Sequence, residues 1–423
     1  MINQQERVVI TGMGIVAPNA HGLDDYENAL RKGVSGIRHH AHLATHKFAC
    51  QVGGIPQNMD TIKYQYFDEE ALMAMNEAMI YGAIAAIDCW RDAQLPEPNE
   101  ETDWDTGAII GTGISGLDTI GSKLVPLTDA GKVRRLGSTM VEQVMASSSS
   151  ANIGGILGLG GQVTTNSSAC TTGTEAIANG FYTIQSGRGK RVMVGGTEGA
   201  SLYSWAGFDA MRVLSRNFND KPEQASRPMS ASAAGFVPGS GAGLLMLESL
   251  SSAQARGARI YAEVIGVDVN CGGQRNGGST TFPNPVGVQK CIQSAIKMAG
   301  INGSDVDLIN GHLTATMADP YEMANWQKAL QCLPQDLPLI NSTKSLIGHA
   351  LGAAGGIECV AAVLQLYKGF VHGSINCDDL HDDIKPYADS VVHTTQDSDA
   401  KILAKASFGF GDVNACIVFK KYS

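Results

Sequence analysis

No apolar run in the 423 residues is long enough to cross a bilayer, and residues 1–12 lack the basic start, apolar stretch and small-residue cleavage site of a secretory leader. A cytoplasmic protein without a membrane span is therefore the default expectation. Positive charge is also short: 31 Lys and Arg against 41 Asp and Glu leave a formal charge of -10, which argues against a general nucleic-acid binder, since phosphate affinity comes mainly from Lys and Arg. None of the nine cysteines falls in a CxxC pair and their number is odd. That suits a reducing compartment and mostly buried free thiols better than a disulfide framework. Pro-rich, Ser-rich and charge-block linkers are missing, as is any repeat of clear period, so nothing marks a boundary between independent domains.

What is present is the balance of a globular protein with a large core, 43% hydrophobic and 17% charged. Fifty glycines cluster in short runs, which implies tight turns and close backbone packing. Strand-like runs are expected at residues 7–15, 108–111, 163–166, 191–195, 241–248, 260–267, 306–310, 402–408 and 414–419. Helical spacing is expected at 24–31, 69–92, 170–186, 288–298, 321–330 and 352–366. Alternation of the two with short connections predicts a layered α/β fold.

Cys170, in the string Ser167-Ser168-Ala169-Cys170-Thr171-Thr172-Gly173, falls between a predicted strand and the first turn of a predicted helix. The positive end of the helix and its unsatisfied N–H groups favour thiolate over thiol there. For an arbitrary cysteine, though, burial in the core is the commoner role. Two histidines lie downstream in turns after β-like runs, His312 in Asn310-Gly311-His312-Leu313-Thr314-Ala315-Thr316 and His349 in Thr343-Lys344-Ser345-Leu346-Ile347-Gly348-His349. A lone histidine is more often structural than catalytic, and the ligand spacing of zinc motifs is absent.

These strings, with Ser407-Phe408-Gly409-Phe410-Gly411, Gly207-Phe208-Asp209-Ala210, Ala225-Ser226-Arg227-Pro228 and Gly235-Phe236-Val237, together resemble the elongating β-ketoacyl-acyl-carrier-protein synthases of the thiolase superfamily. The resemblance spans the whole chain. It implies a thiolase-like five-layer αβαβα fold of two similar halves, 1–255 with the nucleophile and 256–423 with the catalytic histidines. It also implies decarboxylative Claisen condensation that extends a fatty-acyl, polyene or polyketide chain by two carbons. Cys170 matches the family's acyl-accepting nucleophile, His312 and His349 its decarboxylation pair, and Lys344 the lysine that supports the second histidine electrostatically. Glu322 and Glu358 match orienting acids. Phe410 matches a gatekeeping aromatic whose backbone N–H, with that of Cys170, forms the oxyanion hole. Thr314, Thr316 and Phe408 match substrate-binding positions. No resident cofactor or metal is implied, because phosphopantetheine arrives on the acyl carrier protein. The implied partners are that acidic protein and either a second copy or a similar ketosynthase-like subunit. Arg212, Arg216 and Lys63 are candidate docking residues, with scattered solvated charge as the alternative.

Departures from the family pattern are Leu313, Ala315 and Met317 after the first histidine, and Asp412-Val413 after the Phe-Gly-Phe turn. They imply an altered acyl pocket or gating, and they make Glu322 the least secure match. Thiolases add a late catalytic cysteine, but Cys416 sits in a predicted strand outside any thiolase-like glycine motif. Initiating synthases pair cysteine with histidine and asparagine, against which the Lys344 to His349 string speaks. Inactive chain-length subunits usually lack the nucleophile, and the presence of Cys170 favours the active subunit, alone or with a partner of similar fold.

Overall fold

Val8–Ala17, buried at every position, forms the first strand, β1. The computed structural model describes residues 6–422; residues 1–5, part of the segment searched for a leader, and Ser423 lie outside the described residues. The strands that follow are β2 (Thr106–Gly111), β3 (Val163–Thr164), β4 (Arg191–Glu198) and β5 (Gly241–Ser249). Then come β6 (Ala262–Cys271), β7 (Leu308–Asn310), β8 (Leu339–Asn341), β9 (Ile402–Gly409) and β10 (Val413–Lys421).

The first five strands lie in the order β3-β2-β4-β5-β1 and the last five in the order β8-β7-β9-β10-β6. Each set has the same chain order, and in each the first three strands are parallel and the remaining pairings antiparallel. The duplication that no residue repeat reveals is thus plain in the topology. The two sets join edge to edge where Val8, Val9 and Ile10 of β1 pair with Val264, Glu263 and Ala262 of β6.

Helices α1 (Glu77–Asp92) and α2 (Ser148–Leu157) cover the outer face of the first sheet. Helices α3 (Thr172–Gln185) and α6 (Ala354–Lys368) lie between the sheets, and α4 (Pro285–Met298) and α5 (Asp319–Leu330) lie outside the second. The result is five layers, αβαβα. A helix apolar all round is a buried helix, and α6 is buried continuously from Ala354 to Leu366. It reaches the first sheet backbone to backbone: a Cβ on Gly356 would overlap the Gly243 carbonyl of β5. Glycine is required there for space, not for its dihedral freedom.

Several expected elements are shorter or broken. The helix expected over 69–92 divides into Glu69–Met73, which ends at Ala74, and α1, which starts anew at Asn76, whose extended backbone and side chain cap it by accepting Met79 N–H at 2.9 Å. The expected strand 163–166 keeps only β3. The small-residue stretch around 147–161 is α2. Strand β8 and the short helical turns between Leu117 and Val144 have no counterpart among the sequence expectations.

Candidate active site

Both halves bring strand ends and the loops after them to one place. Cys170 lies in a 3-10 turn, Ala169–Thr171, directly before α3 and not in the helix itself. His312 follows β7, Lys344 and His349 follow β8, Glu358 is on α6, and Phe408 to Phe410 run off the end of β9. One ring nitrogen each of His312 and His349 and the Cys170 Sγ all lie within 4.8 Å of one another. The two imidazoles meet edge to face with ring centroids 5.3 Å apart.

These groups sit on a cavity of about 360 Å³. Its walls are largely aromatic and aliphatic, with Phe208, Phe236, Phe282, Phe408 and Phe410 prominent. Thr314 and Thr316 add the polar strip, their hydroxyls 3.0 Å apart. Phe408 stands 6.0 Å from the His312 ring, and Phe410 stands 6.2 Å from Phe208. Gly409 lies between them, and a Cβ there would come within 3.0 Å of Ser168 O and 3.1 Å of Cys170 N. Glycine thus lets the Phe410 backbone approach the thiol, to which its N–H donates.

Hydrogen bonds fix both histidine tautomers. Leu351 N–H donates to His349 Nδ1 at 3.2 Å, so the proton of the neutral ring is on Nε2, a buried atom with no partner among the described residues. The Lys344 ammonium, which can only donate, stands 3.3 Å from His312 Nδ1 and places that proton on Nε2 likewise. Burial first, and then the nearby Lys344 charge, hold both imidazoles well below their ordinary pKa, so they are neutral N–H donors.

Lys344 is ion-paired with Glu358, whose other oxygen meets Lys405 at 2.8 Å, all three side chains being buried. Lys405 was not among the expected residues; its signal was the one charged residue inside the strand-like run 402–408. Glu322 is buried and accepts the N–H groups of His312 and Leu313, each at 2.7 Å, and the Trp326 indole N–H at 3.3 Å. Its insecure match thus still places it under the histidine. Asp319, also unexpected, accepts from Thr314 and Ala315 backbone at 2.8 and 3.0 Å. The signal for it was a carboxylate opening the helix after the loop.

One expectation is reversed. Placement before a helix was expected to favour the Cys170 thiolate, but burial dominates and pushes the thiol up to about 11, with Lys344 and the Phe410 N–H pulling the other way. Cys170 is open to the cavity yet deep below the molecular surface, which is why desolvation outweighs the single 3-10 turn of oriented amides. Leu313 does not reach the cavity; it packs with Met323 and Trp326 in the outer core. A thiol and two imidazoles are also a zinc-type donor set, but the ammonium beside His312 opposes a cation there.

The model for the N-terminal domain of β-ketoacyl synthases matches residues 5–253, and that for the C-terminal domain matches residues 261–378. The chain belongs to the β-ketoacyl synthase family. Its chemistry is that of a condensing acyltransferase. Among relatives, 3-oxoacyl-[acyl-carrier-protein] synthase 2 of Vibrio harveyi is 34% identical over 99% of both chains. The protein of the same name from Staphylococcus aureus is 35% identical over the full length of both. A β-ketoacyl synthase from Burkholderia phymatum superposes with a TM-score of 0.90 at 25% identity, covering 99% of this chain and 100% of its own. The ishigamide ketosynthase/chain length factor gives 0.89 at 28%, with the same coverage. Among the described residues, no helix is long and apolar enough to cross a membrane.

Proposed function

We propose that this synthase takes an acyl group from an acyl carrier protein onto Cys170 and condenses it with malonyl-carrier protein, lengthening a fatty-acyl, polyene or polyketide chain by two carbons. The observation that carries the reading is the pair of neutral Nε2–H donors beside a thiol at the base of an apolar cavity. In the loading step, Cys170 Sγ bonds to the acyl carbon, the bond to the pantetheine sulfur breaks, and the thiol proton leaves with that sulfur. Backbone N–H groups of Cys170 and Phe410 hold the oxyanion. In the second step, malonyl loses carbon dioxide and His312 and His349 donate to the enolate oxygen. The carbanion then attacks the acyl-cysteine, and the Cys170 thiolate departs and takes up a proton. Thr314 and Thr316 bind the pantetheine arm, Phe408 and Phe410 flank the acyl chain, and Lys344, Glu322 and Glu358 position the histidines. Residues 1–255 serve as the half with the nucleophile and 256–423 as the half with the histidines.

The phosphopantetheine is the carrier's, and the carrier docks at the cavity mouth. Arg212 and Arg216 are exposed there, next to the cavity-lining Val213, whereas Lys63 is engaged by Asp60 at 3.3 Å. A dimer, with a second copy or a related subunit, would cover Ile114, Val125, Val133 and Val141, which are exposed. A cytoplasmic location goes with this reading.

Intact-mass measurement after incubation with acyl-carrier protein tests the assignment. Cys170→Ala is expected to gain no acyl mass, while His312→Ala and His349→Ala load but do not release carbon dioxide from malonyl-carrier protein. Acyl mass on Cys170→Ala would overturn it. If the chain alone loads without condensing, and condenses on mixing with a related subunit, the single-component form of the reading fails.

A further inference from the structure

Asp412 is buried, although it stands in an exposed-type turn between two β-strands, and its backbone is left-handed with φ of 62°. A non-glycine residue held there marks a conformation its surroundings impose. Those surroundings are residues 271–284. The carboxylate accepts Gln274 N–H at 2.7 Å and Asn284 N–H at 2.8 Å, and the Asp412 carbonyl accepts Gly272 N–H at 2.8 Å. The Gly411 N–H donates to Thr280 O at 2.7 Å. Glycine at 272 and at 278 leaves the room the carboxylate occupies, since a Cβ on either would overlap it.

Both segments so joined line the cavity beside Cys170, the turn through Gly409 and Phe410 and the loop through Thr281, Phe282 and Pro283. Phe282 is braced in turn against Tyr321, with ring centroids 5.0 Å apart. Neither segment can withdraw from the cavity without breaking hydrogen bonds to a buried carboxylate, which are stronger than neutral ones and costly to leave unmade.

We propose that Asp412 is a specificity-determining residue: by clamping the 409–413 turn to the 271–284 loop it fixes the size of the acyl cavity and disfavours acyl chains too long for the closed form. This rests on the assignment of Cys170 as the acyl acceptor. Asp412 touches neither thiol nor histidine, so its variants alter which chain is accepted and leave the chemistry in place.

The test is competitive loading of Cys170 from a butanoyl- to hexadecanoyl-carrier-protein series, read by intact mass. Asp412→Gly is expected to raise the long-to-short loading ratio by about tenfold, equivalent to ~1.4 kcal/mol, with butanoyl loading unchanged as the control for folding. Asp412→Asn, which keeps one accepting oxygen, should fall between. Gly272→Ala, which crowds the carboxylate from the opposite segment, should shift the ratio the same way, and by less once Asp412 is glycine. An unchanged ratio in folded, butanoyl-loading Asp412→Gly overturns the clamp. Loss of all loading on the wild-type cysteine would instead overturn the acyl-acceptor assignment.

Discussion

The Lys344 ammonium stands 3.3 Å from His312 Nδ1 while paired with the same Glu358 carboxylate that Lys405 meets at 2.8 Å. One buried anion therefore holds two buried cations, and one of those cations fixes the tautomer of a histidine. Removing the anion is the most damaging change. Glu358→Gln leaves two ammonium groups without a counter-charge and should cost about 3–5 kcal/mol in urea unfolding, the range for breaking a buried pair. Lys405→Met leaves the Lys344–Glu358 pair neutral and should cost less. Equal losses in the two variants would show that the three charges do not act as this unit.

Both histidines are held neutral by burial and by the Lys344 charge, with pKa well below the ordinary value of 6.5. Protonation would cost His349 the acceptor for Leu351 N–H, and His312 the acceptor for Lys344. Malonyl decarboxylation should therefore keep its full rate as pH falls through about 6.5 and fail only in more acid solution. An acid limb centred near 6.5 in the pH–rate profile of the folded enzyme would contradict neutral donors.

The long buried elements were legible because burial on both faces makes a strand a continuous apolar run, as in β1 and β5, and makes a sandwiched helix apolar throughout, as in α6. The site was legible by a different route, the order of short strings around Cys170, His312 and His349. What escaped has physical reasons. Three-residue β8 is too short to carry a period, and residues 112–146 fold into short, mostly exposed helical pieces with no buried face to impose one. Asn76 interrupts a helix whose apolar spacing continues across it. Lys405 hid in a strand-like run, and its partner Glu358 lies 47 positions earlier in the sequence (405 − 358) on another element. The thiolate expectation for Cys170 weighed oriented amides but could not weigh desolvation, which depends on how deep the turn lies.

Gly409 owes its identity to the approach of the 409–410 backbone to the Cys170 turn. Gly409→Ala would bring a Cβ within 3.1 Å of Cys170 N and 3.0 Å of Ser168 O, tight enough that the two turns must separate by a few tenths of an ångström. With Phe410 N–H as the proposed oxyanion donor, a shift of that size should lower acyl loading by about 10²-fold, the scale of losing one such donor. The melting temperature should fall by only a few degrees, because the strain is local. A variant that loads normally would show that the Phe410 N–H is not a donor in the transition state.

Glu322 ties stability to pH. Burial, and then the charge of Asp319, push its carboxyl up to about 7 from an unfolded value of 4.5. The folded state thus holds the proton more tightly than the unfolded chain. Stability from this group is fully present below about 4.5 and is lost as pH rises through about 7. Across that window the wild type should lose a contribution from Glu322 on the order of 3 kcal/mol relative to Glu322→Gln, superposed on the opposite trend from the buried histidines, whose lowered pKa makes stability rise over the same range. Glu322→Gln does not titrate and should lack that loss, so its stability relative to the wild type rises with pH, even though an amide facing the Leu313 N–H lowers stability at every pH. Glu198 is also pushed up to about 7 by burial, so the double variant with Glu198→Gln should differ from the wild type by a second loss of the same sign. Parallel profiles for wild type and Glu322→Gln would mean that Glu322 is ionised throughout, and that its three N–H donors stabilise the anion more than burial opposes it.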